Sequence, residues 1–120
     1  MTFQRTAIEG VLVAESRQMD DERGSFERLF CTRGFDSRGV GLAVAQVNLS
    51  RNPSAGTLRG MHYQADPEPE IKLVRCLAGR IFDVAVDLRP TSPTHTQWVG
   101  QELRGDAPQA LVVPAGCAHG

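Results

Sequence analysis

Long apolar runs are absent from this 120-residue sequence, and nothing approaches the ~20 consecutive apolar residues that a membrane helix requires. The N-terminal MTFQRTAIEGVLVAES has neither a continuous apolar core nor a small-residue cleavage site, so it does not read as a secretory signal. Cysteine is scarce as well. Cys31, Cys76 and Cys117 are odd in number, widely spaced and in no C-x-x-C pair, which argues against a disulfide framework or zinc ribbon and for reduced thiols in the cytoplasm. Neither sign of charge is in excess: 13 Lys and Arg stand against 14 Asp and Glu, for a net −1. No overall field then favours nucleic acid or a membrane surface, and an anionic small molecule would have to be met by local Arg and Lys. No helical period is sustained and no internal repeat is found. The length suits one domain with a real core.

Glycine and proline are plentiful by contrast, twelve and seven, and they punctuate short β-rich runs in the manner of an all-β sandwich or barrel. Residues 7–15 read as a first strand, with Val11 and Val13 on one face and Leu12 on the other. An acidic Asp20-Asp21-Glu22 leads into RGSFERLF, which by itself reads as an edge strand whose charges guard against aggregation. Residues 31–41 read as a loop. Residues 42–50, LAVAQVNLS, alternate as a strand, placing Gln46, Asn48 and Ser50 on one face and Ala45, Val47 and Leu49 on the other. Such a strand is either half exposed or lines a polar pocket. Further on, IFDVAVDLR predicts a core face of Phe82, Val84, Val86 and Leu88, with Ile81, Asp83, Ala85, Asp87 and Arg89 opposite. His95 falls in a loop and reads as a surface residue.

The chemistry concentrates in residues 56–79, GTLRGMHYQADPEPEIKLVRCLAG, which hold Arg59, His62, Tyr63, Gln64 and Lys72. His62 and Gln64 share strand parity with Gly60, and Arg59 has the opposite parity. Both sets reach one cleft only if the strand is distorted, for which Gly60 is the natural place. In KLVRC, Lys72, Val74 and Cys76 fall on one side and Leu73, Arg75 and Leu77 on the other. A lone His in a strand is more often structural than catalytic, and a Lys at a strand start is ordinarily solvated. The closing PAGCAHG brings His119 in near the end of the chain.

The spacing from Gly56 to His62 and from Lys72 to Gly79, with Pro114, Gly116 and His119 in the final segment, resembles the two sequence motifs of the cupin superfamily. That resemblance implies a jelly roll, or double-stranded β-helix, in which His62 and His119 meet. Gln64 and Lys72 occupy two slots that metal-binding cupins fill with His and Glu. A cation in a ligand slot repels a divalent ion, so no metal and no cofactor are expected.

More specifically, TLRGMHYQ, KLVRC-LAG-IFDVAVDLR, SPT…WVG and VVPAGCAHG resemble the dTDP-4-dehydrorhamnose 3,5-epimerase family. The likeness runs in order from about Asp20 to the last residue, and family members continue for several strands beyond AHG. The expectation is therefore one cupin-like domain over 1–120, incomplete at its C-terminal end. The resemblance implies an isomerase of deoxysugar (rhamnose) biosynthesis that converts dTDP-4-dehydro-6-deoxyglucose to dTDP-4-dehydrorhamnose. It assigns His62 as base, Lys72 as enolate stabiliser and Asp83 as a carboxylate able to orient a His or balance Lys72. Gln46, Asn48, Arg59 and His119 would hold the substrate, with Arg23 and Phe26 of the motif D-x-R-G-x-F supplied by the partner of a homodimer. Arg28 stands where some members carry an acid. Imidazole titrates near neutrality, which suits a base, and a cation in a dry pocket strongly favours a developing enolate. The family's acid is a Tyr downstream of AHG, and Tyr63, the only Tyr here, is not assigned to that role. A non-catalytic sugar-nucleotide binding module, an inactive fragment and a metal cupin stand as alternatives.

Overall fold

A computed structural model describes residues 1–120. It is almost entirely β: β1 Thr2–Arg5, β2 Leu12–Glu15, β3 Gln18–Asp21, β4 Gly24–Glu27, β5 Lys72–Val74, β6 Arg80–Asp87, β7 Trp98–Arg104, β8 Gln109–Val113 and β9 Cys117–His119, with one short helix, α1 Thr32–Asp36. Two sheets carry the body, in the orders β1-β2-β8-β5 and β7-β6-β9, while β3 and β4 form a hairpin of their own. All the pairings are antiparallel. This is the sandwich expected of a jelly roll.

The run ALVV explains why β8 is central. Strands buried on both faces need apolar residues at both parities. Leu111 and Val113 face the space between the sheets, where they meet Ile8, Val11, Val13, Cys76, Ala85, Leu103 and Cys117. Ala110 and Val112 are equally buried, and Val112 packs on the opposite face with Ala14, Phe35 and Leu42. The split of Val11 and Val13 from Leu12 follows the expected alternation.

Four local expectations change. The first strand is shorter than 7–15: the chain bends and turns over 7–10, Gly10 takes φ +84°, and Arg5 pairs with Leu12 to make a hairpin. The segment 31–41 is not all loop, because α1 forms there and seats Phe35, fully buried, against Phe3 and Phe30. Residues 42–50 form no strand. Alternation makes a strand only when a ladder partner is present. The β9 edge of the second sheet is met by a single bridge from His62, which leaves 42–50 without one.

The fourth correction concerns β6. Its buried residues are Asp83, Ala85 and Asp87, with Ile81 packed on the core, while Phe82 is 63% exposed and lies over Gly100. Hydrophobicity alone points the other way. The polar face wins because its two carboxylates are matched: Asp87 by Arg89, Ser92 and Thr94, and Asp83 by His119. Buried charges are tolerated when paired and hydrogen-bonded.

Candidate active site

Two histidines meet where the strand end of β9 receives the central loop. His62 N–H donates to the His119 carbonyl at 2.7 Å, and His119 N–H donates back to the His62 carbonyl at 3.1 Å. The rings lie 5.6 Å apart between centroids. Gly60 makes this approach possible. Its φ is +113°, and a Cβ there would fall 2.7 Å from the Gly120 Cα and 3.0 Å from the His119 carbonyl oxygen. The distortion expected at Gly60 is therefore present, and only glycine fits it. Gly60→Ala is expected to lower stability by about 1–3 kcal/mol and to loosen the two-histidine bridge. Urea unfolding followed by fluorescence measures the first, and imidazole NMR shifts of His62 and His119 report the second.

Asp83 lies behind the pair. It is 3% exposed, and its Oδ1 is 3.1 Å from His119 Nδ1. A carboxylate offers only acceptors, so this contact puts the hydrogen on Nδ1 and leaves Nε2 as the free nitrogen of a neutral His119. The other oxygen, Oδ2, is buried without a hydrogen-bond partner. Of the two roles open to Asp83, orienting a His and balancing Lys72, the geometry takes the first. The His it orients is His119 rather than His62.

Lys72 begins β5 opposite Val113. It shares parity with Val74 and Cys76, both of which pack in the inter-sheet core, so it stands on the interior face with its side chain only 18% exposed. Its ammonium is 2.7 Å from Glu70 Oε1. Glu70 has no place among the expected site residues, although its position two residues before Lys72 on a strand's leading edge was a readable signal. No group of three or more His, Cys, Asp or Glu converges to hold an ion.

The remaining expected residues stand apart from this cluster. Gln46 and Asn48 lie exposed in the irregular run before the histidines, since the strand that was to aim them inward does not form. Arg59 Nε donates to Asn52 Oδ1 at 2.6 Å, on the exposed side of the same loop. Arg23 pairs with Asp21 at 2.5 Å in the tip of the β3–β4 hairpin, where the bond raises the guanidinium pKa and lowers that of the carboxyl. Phe26 is 60% exposed and pairs across the hairpin with Met19, itself exposed. Arg28 is exposed, and the acid of this arm, Glu27, binds Arg75.

A second polar cluster supports the first. The Asp87 carboxylate accepts from Arg89 Nε at 2.8 Å, Arg89 Nη2 at 2.9 Å, and the Ser92 and Thr94 hydroxyls at 2.6 Å each. The Arg89 guanidinium holds the Asp87 carboxyl well below the usual carboxylate range, against the opposing effect of burial. Burial in turn pushes the adjacent Cys117 thiol up. Asp87 pairs with Cys117, and Ala85 pairs with His119 two residues on, so this clasp fixes the register that delivers His119.

The family model for dTDP-4-dehydrorhamnose 3,5-epimerase matches residues 5–120. The dTDP-4-dehydrorhamnose 3,5-epimerase of Shigella flexneri is 43% identical over the whole chain, which covers 66% of that relative. A crystal structure of the Bacillus anthracis enzyme with TDP and PPi bound superposes with a TM-score of 0.94 at 37% identity, covering 98% of this chain and 67% of that one. The Legionella pneumophila structure in complex with dTDP-4-keto-L-rhamnose gives 0.91 at 39% identity, covering 98% and 62%. The chain thus spans about two thirds or less of the length of several relatives it matches. Sequence and fold agree along the whole of it, and the chain belongs to the dTDP-4-dehydrorhamnose 3,5-epimerase family.

Proposed function

We propose that this chain carries the base side of an epimerase acting on a dTDP-linked 4-keto-6-deoxysugar, converting dTDP-4-dehydro-6-deoxyglucose toward dTDP-4-dehydrorhamnose in rhamnose biosynthesis. The observation that carries the reading is the His62–His119 pair joined to a buried Asp83, with Lys72 at the leading edge of the interior face. A ketone acidifies its α-hydrogens, so the reaction needs a base, a stabiliser for the enolate oxygen and an acid to return a proton to the opposite face. His62 is the base, exposed enough to meet a sugar. Lys72 stabilises the enolate, exchanging its contact with Glu70 for the developing oxyanion. His119, held by Asp83, orients the sugar through its free Nε2. Arg59 serves the diphosphate, for which a planar fork of donors is suited, and Gln46 and Asn48 serve the sugar once their segment closes on it.

A sugar-nucleotide binding module is the second reading. It is favoured by Tyr63, the only tyrosine among residues 1–120, being half exposed directly after the base and given no part in the chemistry. Calorimetry with dTDP beside a turnover assay separates the two. Binding with turnover is expected of the enzyme, and binding without it supports the module.

The chemistry needs no metal, since Gln64 and Lys72 occupy the slots where a metal cupin holds ligands. Elemental analysis of the purified protein is expected to find zinc, iron and nickel well below stoichiometric. The three free thiols fit a reducing cytoplasm. The assembly is a homodimer in which one subunit's hairpin lends Arg23 and Phe26 to the other's pocket. Met19 and Phe26 form an exposed apolar pair on that hairpin, a surface that a partner would cover. Sedimentation at micromolar concentration is expected to give a dimer, and a stable monomer would remove Arg23 and Phe26 from the site.

A further inference from the structure

The hairpin β3–β4 has no ladder to either body sheet, and its residues from Gln18 to Phe26 are exposed. Nothing in its own packing fixes the direction in which it projects. One side chain of the body reaches both of its legs. Arg75, just past β5, donates from Nη1 to Glu27 Oε1 at 2.6 Å, at the end of β4. From Nη2 it donates to the Ser16 hydroxyl at 2.9 Å, two residues before β3, and to the Pro108 carbonyl at 3.4 Å, just before β8. Pro108 also accepts from Ser16 N–H at 2.8 Å.

The Arg75 and Glu27 side chains are 12% and 19% exposed, and Ser16 is buried. The contact is therefore shielded from water, unlike the Arg23–Asp21 pair at the tip. A planar guanidinium with two separated donors spans the two legs, and an ammonium would serve one leg at a time. Arg75 lies on the β5 parity opposite Lys72, so it acts outside the pocket.

We propose that Arg75 is the positioning residue of this hairpin: by clasping both legs against the start of β8 it sets where Arg23 and Phe26 are delivered. The functional half of this rests on the reading that the tip serves a neighbouring subunit's pocket. Charge-assisted hydrogen bonds in a shielded place are worth enough that losing them changes local opening by about tenfold or more.

The test combines amide hydrogen exchange with dTDP calorimetry on Arg75→Gln, Arg75→Lys and Arg23→Ala. In Arg75→Gln the amides of residues 18–27 are expected to exchange about tenfold faster, with those of 109–113 unchanged, and dTDP to bind as weakly as to Arg23→Ala. Arg75→Lys should fall between. Unchanged hairpin exchange overturns the clasp. Faster exchange with parental dTDP affinity, while Arg23→Ala weakens binding, overturns the positioning role. If Arg23→Ala itself binds dTDP normally, the reading of the tip fails instead, and the exchange data still decide the clasp. Glu27→Gln, which leaves the guanidinium on Ser16 and Pro108, repeats the comparison should Arg75→Gln fail to fold.

Discussion

Asp87→Asn is expected to destabilise the fold by about 3–5 kcal/mol, because it breaks a buried ion pair from one side and leaves the Arg89 guanidinium facing a neutral amide. Asp87 is fully buried, and its two oxygens take four side-chain hydrogen bonds from Arg89, Ser92 and Thr94. An amide can accept on one side only. Its nitrogen would then confront donors, and hydroxyls can turn to accommodate it where a guanidinium cannot. Against the roughly 5–15 kcal/mol that holds a domain of this size folded, the loss would leave the variant marginal. Urea unfolding at neutral pH measures it, and a change below about 1 kcal/mol would mean that the clasp is not coupled to folding.

Acid should expose the same contribution. The folded carboxyl titrates below its ordinary value, so the unfolded chain binds the proton first as pH falls. The stabilisation is complete above the ordinary carboxylate value near 4, and it is lost progressively as pH drops below that toward the folded value. The gap in stability between the parent and Asp87→Asn should accordingly be constant at neutral pH and shrink below about pH 4. Because Cys117 pairs with Asp87 and His119 follows two residues later, a loosened clasp should also blur the His119 resonances before global unfolding.

Much of this was legible from residue order. The parity of KLVRC set Lys72, Val74 and Cys76 on one side without saying which side is buried; the cupin ligand slot that Lys72 fills is what pointed it inward, and it stands on the interior face of β5. The meeting of His62 and His119 followed from the motif resemblance and is present as a reciprocal backbone bridge. The face of β6 was misread because periodicity separates two faces without saying which is buried. The deciding information lay in DLRPTSPT, where Arg89, Ser92 and Thr94 follow Asp87 within seven residues and satisfy its charge. Gln46 and Asn48 were placed by an alternation that is real, but alternation needs a pairing partner, and no strand of the two sheets supplies one there. The five-residue α1 carries no side-chain N-cap bond, so its local sequence held little to announce it. Phe35, packed with Phe3 and Phe30, is what holds it.

His62→Asn is expected to abolish exchange of the sugar's α-hydrogen with solvent, a fall of about 10²- to 10⁴-fold for removal of a positioned base. Asparagine keeps the approximate size of imidazole and leaves the backbone bridge to His119 in place, so dTDP binding should survive. Proton removal requires only a base and a stabilised enolate, and inversion also requires an acid on the other face. The parent should exchange the α-hydrogen of dTDP-4-dehydro-6-deoxyglucose for deuterium in D2O. Lys72→Met should slow exchange by about 10²- to 10³-fold through loss of the oxyanion's counter-charge. Glu70→Gln, which frees the ammonium from its present partner at 2.7 Å, should not slow it. Proton NMR of the substrate in D2O reads all four proteins. Exchange that persists in His62→Asn would move the base elsewhere, with the oriented His119 next in line. Binding of dTDP without any exchange would favour the binding module.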